Sequence, residues 1–294
     1  MKQLQELFAL PENPKIATKF NGITFYTSDR LKERFIKALS KSDYLEPVIS
    51  EIYDLVKDNR IVPCWQTKSA IKIIVRKILQ SVQGDGFASI YEPTEKKIFI
   101  ILDNYINWFL MYPNKVLSRL VRHELVHYCE NKNPDKFLSI FKDYIRDFYV
   151  LFFKDIFKIP NKEKIDDEVW KIVSFMYFNF KTENTIASII NQYEKVFSPL
   201  KRFSQSPEQF DKTVEDIKQV VKIMLVFGGR SINILFSGYM HVLEPLHRAY
   251  NSLGIPIYGN LCSQELYSPA EVIALHVEKK ILKNKFIAMM KSCT

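Results

Sequence analysis

The residues of this chain best suited to chemistry are two histidines and a glutamate in the run His123-Glu124-Leu125-Val126-His127. The sequence holds only five histidines. Roughly 0.005 chance occurrences of H-E-x-x-H are expected in such a chain, so coincidence is a poor explanation. On a helix, residues four apart share a face, and both imidazoles can reach one metal ion. Neutral imidazole is a good zinc ligand, whereas Glu124, one residue beyond the first histidine, points beside such a metal rather than at it. From there its carboxylate can take a proton from a coordinated water, whose pKa zinc lowers to about 7, and pass it to a leaving amine. Hydrolysis of an amide is the natural outcome. The plainer alternative is an amphipathic core helix with hydrogen-bonded histidines, which would explain a lone histidine better than this constellation.

The flanks Leu120-Val121-Arg122 and Tyr128-Cys129 are apolar or uncharged except at Arg122. Over these ten residues the sequence resembles the zincin metallopeptidases. That resemblance implies a zinc ion held by His123 and His127, with Glu124 as general base. A catalytic zinc site usually takes three protein ligands and leaves the fourth position to water. The metzincin arrangement is excluded, because Glu130 and Asn133 stand where its glycine and third histidine would be. The segment Tyr267-Ser268-Pro269-Ala270-Glu271-Val272-Ile273-Ala274 instead resembles the second metal-binding helix of gluzincins, which implies Glu271 as the third ligand. Leu275 stands where many members of that group carry an aspartate, a common partner of a ligand histidine. Ser268-Pro269-Ala270-Glu271 also reads as a capping box with Ser at N-cap, Pro at N1 and Glu at N3, which alone would account for the glutamate. Other candidate ligands are Glu265, His276, His241, Glu244 and His247, the last three gathered around Pro245. By the family's habit, Tyr267 or one of these histidines would donate a hydrogen bond to the tetrahedral oxyanion.

The elements that must position these groups follow from periodicity. Pro113-Asn114 precedes apolar residues at Val116, Leu117, Leu120, Val121, Leu125 and Tyr128, so the H-E-x-x-H helix is expected from about residue 114 to just before Pro134. Upstream, Ser69 to Val82 reads as a helix, Gly84-Asp85-Gly86 as a break, and Phe87 to Tyr91 and Ile98 to Leu102 as strands. Gly22 to Tyr26 reads as a further strand, with Ser28 to Leu39 and Tyr44 to Asp58 helical. Downstream the chain is almost wholly helical. Phe137, Phe141, Tyr144, Phe148, Leu151 and Phe152 form a stripe read as core packing, and Asp166 to Phe178 and Pro207 to Phe227 form further helices. Ser198-Pro199 and Ser206-Pro207 mark the break between them.

The fold class expected is α+β, mostly helical. Residues 1–66 form an α-rich lead-in, 67–135 a zincin-like core of a small sheet on the H-E-x-x-H helix, and 136–294 a helical part carrying Glu271. By the zincin resemblance, a strand beside the cleft would present its backbone to an extended peptide.

Composition narrows the classes. At 294 residues and 47% hydrophobic content the chain can bury a core. Cys64, Cys129, Cys262 and Cys293 are widely spaced without a C-x-x-C pair, so reduced thiols are expected rather than a disulfide framework or a zinc ribbon. The N-terminal residues hold no apolar stretch of signal-peptide length, and Val220 to Met240, the most apolar stretch, is broken by Lys222, Gly228-Gly229, Arg230 and Asn233. A cytoplasmic protein with no transmembrane segment is therefore expected. The +9 charge is scattered among acids, which disfavours nucleic acid as the main partner. Its densest run, from Lys279 to Lys291, leaves a basic C-terminal helix as a rival nucleic-acid-associated role. The expected partner is a peptide or protein substrate. The other rival is an assembly protein, for example of a phage particle, that retains a zincin scaffold.

Overall fold

A computed structural model of the chain describes residues 13–20, 23–66, 89–92, 96–102, 113–179, 187–188, 190–227, 238–255 and 268–293. It is α+β and mostly helical. The elements are β1 (Lys15–Phe20), β2 (Ile23–Thr27), α1 (Asp29–Leu39), a 3-10 turn (Glu46–Val48), α2 (Ile49–Lys57), β3 (Ile61–Gln66), β4 (Ser89–Glu92) and β5 (Lys97–Ile101). Helices follow: α3 (Pro113–Lys132), α4 (Pro134–Ile156), α5 (Asp166–Asn179), α6 (Tyr193–Lys201), α7 (Pro207–Phe227), α8 (Met240–Ser252), α9 (Pro269–Glu278) and α10 (Lys283–Cys293). The helix expected at Ser69–Val82 and the break at Gly84–Gly86 lie outside the described residues.

By contacts the chain forms two compact units. One takes the described residues up to Ile140 and from Ala274 onward, and the other takes Phe141–Ile273. The division runs within α9, a single continuous helix. The last two helices thus contribute to the unit built by the N-terminal half. Residues 1–66, expected as a helix-rich lead-in, contribute three of the five described strands.

The sheet of the first unit has the order β1-β2-β3-β5-β4, parallel only between β3 and β5. Ile98 to Ile101 of β5 are all buried, as a strand covered on both faces should be. Phe25, Val62, Cys64, Phe99 and Ile101 form the core of one face. On α1, Leu31, Phe35 and Leu39 recur at four-residue spacing and are buried, while Ser28 caps the helix by accepting from the Leu31 backbone N–H. Helix α3 packs against both β4 and β5. It ends at Lys132 because the Asn133 side chain accepts from the Lys136 N–H and Pro134 occupies the first position of α4.

The cysteine expectation is corrected here. Cys129 of α3 and Cys293 of α10 form a disulfide, with Cα atoms 5.5 Å apart. Widely spaced cysteines conceal such a pairing, because only the return of the C-terminal helix onto α3 brings them together. The premise of reduced thiols, on which a cytosolic setting partly rested, is thereby removed.

The second unit is helical. In the stripe on α4, Phe141, Phe148 and Phe152 are fully buried while Leu151 is 39% exposed. Phe148 meets Tyr250, so the stripe is core, and nearby Phe153 and Phe157 both contact Phe197 while Phe157 stacks on Phe210. Pro207 opens α7, whereas Pro199 sits inside α6, so of the two Ser-Pro steps only the second breaks a helix. Among the described residues no helix is long and apolar enough to cross a membrane.

Candidate metal centre

Helix α3 carries both motif histidines on one face, one turn apart, with ring centroids 5.1 Å apart. Both side chains are 17% exposed, half-sheltered rather than sealed. Glu124 lies between them on the helix and is buried. Pro269 starts α9 and places Glu271 in its first turn. One ligand atom from each of His123, His127 and Glu271 can be chosen so that all three lie within 4.8 Å of one another. Among the described residues no other histidine, cysteine, aspartate or glutamate residues converge in this way. A tetrahedral ion with bonds of about 2.0–2.2 Å needs its ligands roughly 3.4 Å apart, so side-chain rotations of about an ångström would close the group on a metal. The donor set, two imidazoles and a carboxylate, fits a divalent cation such as zinc.

The outer contacts of the histidines determine which ring nitrogen faces the metal position. His123 Nδ1 lies 3.1 Å from Glu278 Oε2, and His127 Nδ1 lies 3.4 Å from Glu130 Oε2. A neutral imidazole that donates Nδ1–H to a carboxylate carries its lone pair on Nε2. Donation of Nδ1–H in this way would leave Nε2 of both rings as the ligand atom. Burial opposes ionisation of Glu278, but the hydrogen bond from His123 and the cation of Arg119 outweigh it and hold the carboxyl below the usual carboxylate range. Arg119, one turn before His123, forms an ion pair with the other Glu278 oxygen.

Glu278 is the functional residue that sequence reasoning missed. Leu275 stands where the resemblance would place an aspartate, and a carboxylate two turns along α9, Glu278, lies against the His123 ring instead. Seven residues advance a helix by nearly two full turns, so Glu271 and Glu278 lie on the same face about 10 Å apart. The i, i+7 pair of glutamates was the available signal. Outer-shell partners typically contribute 10–100-fold to metal affinity, and Glu278→Ala should weaken zinc binding by about that factor in a chelator-competition titration.

None of the remaining described candidates belongs to this group. His241 Nε2 pairs with Asp216 at 2.8 Å, and Glu244 pairs with Arg248. Burial lowers the pKa of His247. His276 is wholly buried on α9. Tyr267 and Glu265 lie outside the described residues. Of the C-terminal lysines, Lys283 and Lys285 donate to the Asp43 and Ile140 carbonyls, so part of that basic run fastens α10 within its unit.

No protein-family model, no curated protein and no solved structure matches the chain.

Proposed function

We propose that this protein is a zinc-dependent peptidase of gluzincin type, with His123, His127 and Glu271 as ligands and Glu124 as general base. The observation that carries the reading is the approach of Glu271 to both histidines, from a helix some 140 residues downstream of the motif. Helix capping explains a glutamate at that sequence position but not its arrival at two imidazoles.

The zinc ion would supply an activated water and a Lewis acid for the substrate carbonyl. The chain's own groups do the rest. Glu278 and Glu130 fix the imidazole tautomers so that Nε2 faces inward. The Glu124 carboxylate accepts the proton of the attacking nucleophile and returns it to the amine that leaves. Strand β4 ends the sheet order and packs beside α3, and its backbone supports an extended peptide as the substrate class. A donor for the oxyanion would be Tyr267.

Metal analysis of the purified protein after dialysis against a weak chelator tests the reading. One zinc per chain is expected in wild type, with loss in Glu271→Ala while the circular dichroism spectrum is kept. Wild type without zinc would overturn the proposal in favour of a non-catalytic scaffold.

A further inference from the structure

The residue just before the first ligand histidine is an arginine, and it is almost wholly buried, at 2% exposure. An arginine there is costly unless its donors are satisfied. Arg122 meets that condition with three groups: Nε donates to the Val277 carbonyl at 3.0 Å, one terminal nitrogen to the Glu278 carbonyl at 2.7 Å, and the other to Ser118 Oγ. Its guanidinium also lies over the Tyr44 ring, 4.7 Å from the centroid. Ser118 Oγ in turn bonds Ser42 Oγ, and Tyr44 donates to the Ile281 carbonyl just beyond α9. Burial pushes the guanidinium pKa down to about 10, which leaves it a cation at neutral pH.

Val277 and Glu278 are the last two residues of α9. Their carbonyls belong to the set that a helix end leaves without i→i+4 partners, Val277's being shared with the Lys280 N–H, and they form the negative end of its dipole. A planar fork that bonds two successive carbonyls fixes both the height and the rotation of the helix relative to the arginine's own helix. Rotation matters because a slip of α9 by one residue would translate it 1.5 Å and turn it about 100°. Either displacement would carry Glu271 away from the histidines and Glu278 away from His123.

Resting on the zinc reading above, we propose that Arg122 is a positioning residue that sets the register of α9 on α3 and thereby delivers Glu271 to the metal. Its effect on metal affinity passes mainly through Glu271, with a smaller part through the Glu278 contact to His123. An arginine that merely stabilised the unit would weaken metal binding equally whether or not Glu271 was present.

The test is zinc affinity, measured by chelator competition on the full chain, for Arg122→Met, Arg122→Lys and Ser118→Ala, each in the wild-type and the Glu271→Ala background. Arg122→Met preserves the volume, Arg122→Lys keeps the charge without the fork, and Ser118→Ala perturbs the arginine gently should the first two fold poorly. In the wild-type background the expected losses are at least 10-fold for Arg122→Met, smaller for Arg122→Lys and smallest for Ser118→Ala. In the Glu271→Ala background the same substitutions should cost several-fold less than in wild type, because only the Glu278 contact to His123 is left to disturb. Equal losses in both backgrounds, or undiminished affinity in Arg122→Met, would overturn the positioning role while leaving the zinc reading intact. Absence of zinc from wild type would overturn both.

Discussion

Glu124→Gln is expected to retain one zinc per chain and lose hydrolysis by a factor of about 10²–10⁴, the usual contribution of a positioned general base. The amide keeps the size and shape of the side chain but cannot accept a proton at neutral pH. It lies between the two motif histidines on α3 without belonging to the group of three that approach one another, so the proposed ligand set should survive. His123→Ala, by contrast, should lose zinc and activity together. Activity read on a quenched fluorogenic peptide library, beside metal content for both variants, separates the two effects. Glu124→Gln with wild-type turnover would remove the base from the mechanism, and loss of zinc in that variant would show Glu124 to be a ligand instead.

Removal of the Cys129–Cys293 bond should be the largest stability effect available from two atoms. The cross-link spans 164 residues of sequence. Closing so long a loop restricts the unfolded chain, and loss of such a bond typically costs about 2–5 kcal/mol. Cys129→Ser/Cys293→Ser should unfold at correspondingly lower denaturant, and wild type treated with dithiothreitol should shift in the same direction. Thiol titration of denatured, non-reduced wild type should count two reactive thiols of the four cysteines. A count of four would show the bond absent in solution. Because Cys129 lies two residues beyond His127 on α3, the reduced protein should also hold zinc less tightly.

The helical motif was legible because it is local: two histidines and a glutamate within five residues need only the 3.6-residue period to define a face. The bounds of α3 were legible for a similar reason, since Pro113 and Asn133-Pro134 state its ends in the sequence. Glu271 came from a short motif that also encodes a cap, so its spatial meaning depended on the tertiary approach of α9 to α3. Glu278 was not legible because the gluzincin pattern points to Leu275, one turn after Glu271, whereas the carboxylate beside His123 stands two turns after it. The disulfide escaped for a deeper reason. Cysteine spacing carries information only when the partners share a local framework, and Cys129 and Cys293 meet through the return of the last helix. In the sheet, β2 and β5 announced themselves by apolar residues, but the parallel pairing of β3 with β5 and the place of β4 at the end of the described strands are facts of topology that no short run of residues encodes.

The interruption of one compact unit by another bears on the order in which the chain matures. The inserted stretch from Phe141 to Ile273 is continuous in sequence, whereas the unit that houses the two histidines is finished only by residues from Ala274 onward. A ribosome-bound chain that has just exposed α3 therefore has two imidazoles and no Glu271, no Glu278 carboxylate and no Cys293. Domains tend to fold as units during synthesis, and long-range closures come last. The three-donor group is consequently a late product of translation, and a nascent chain cannot assemble it until the intervening helices have been made.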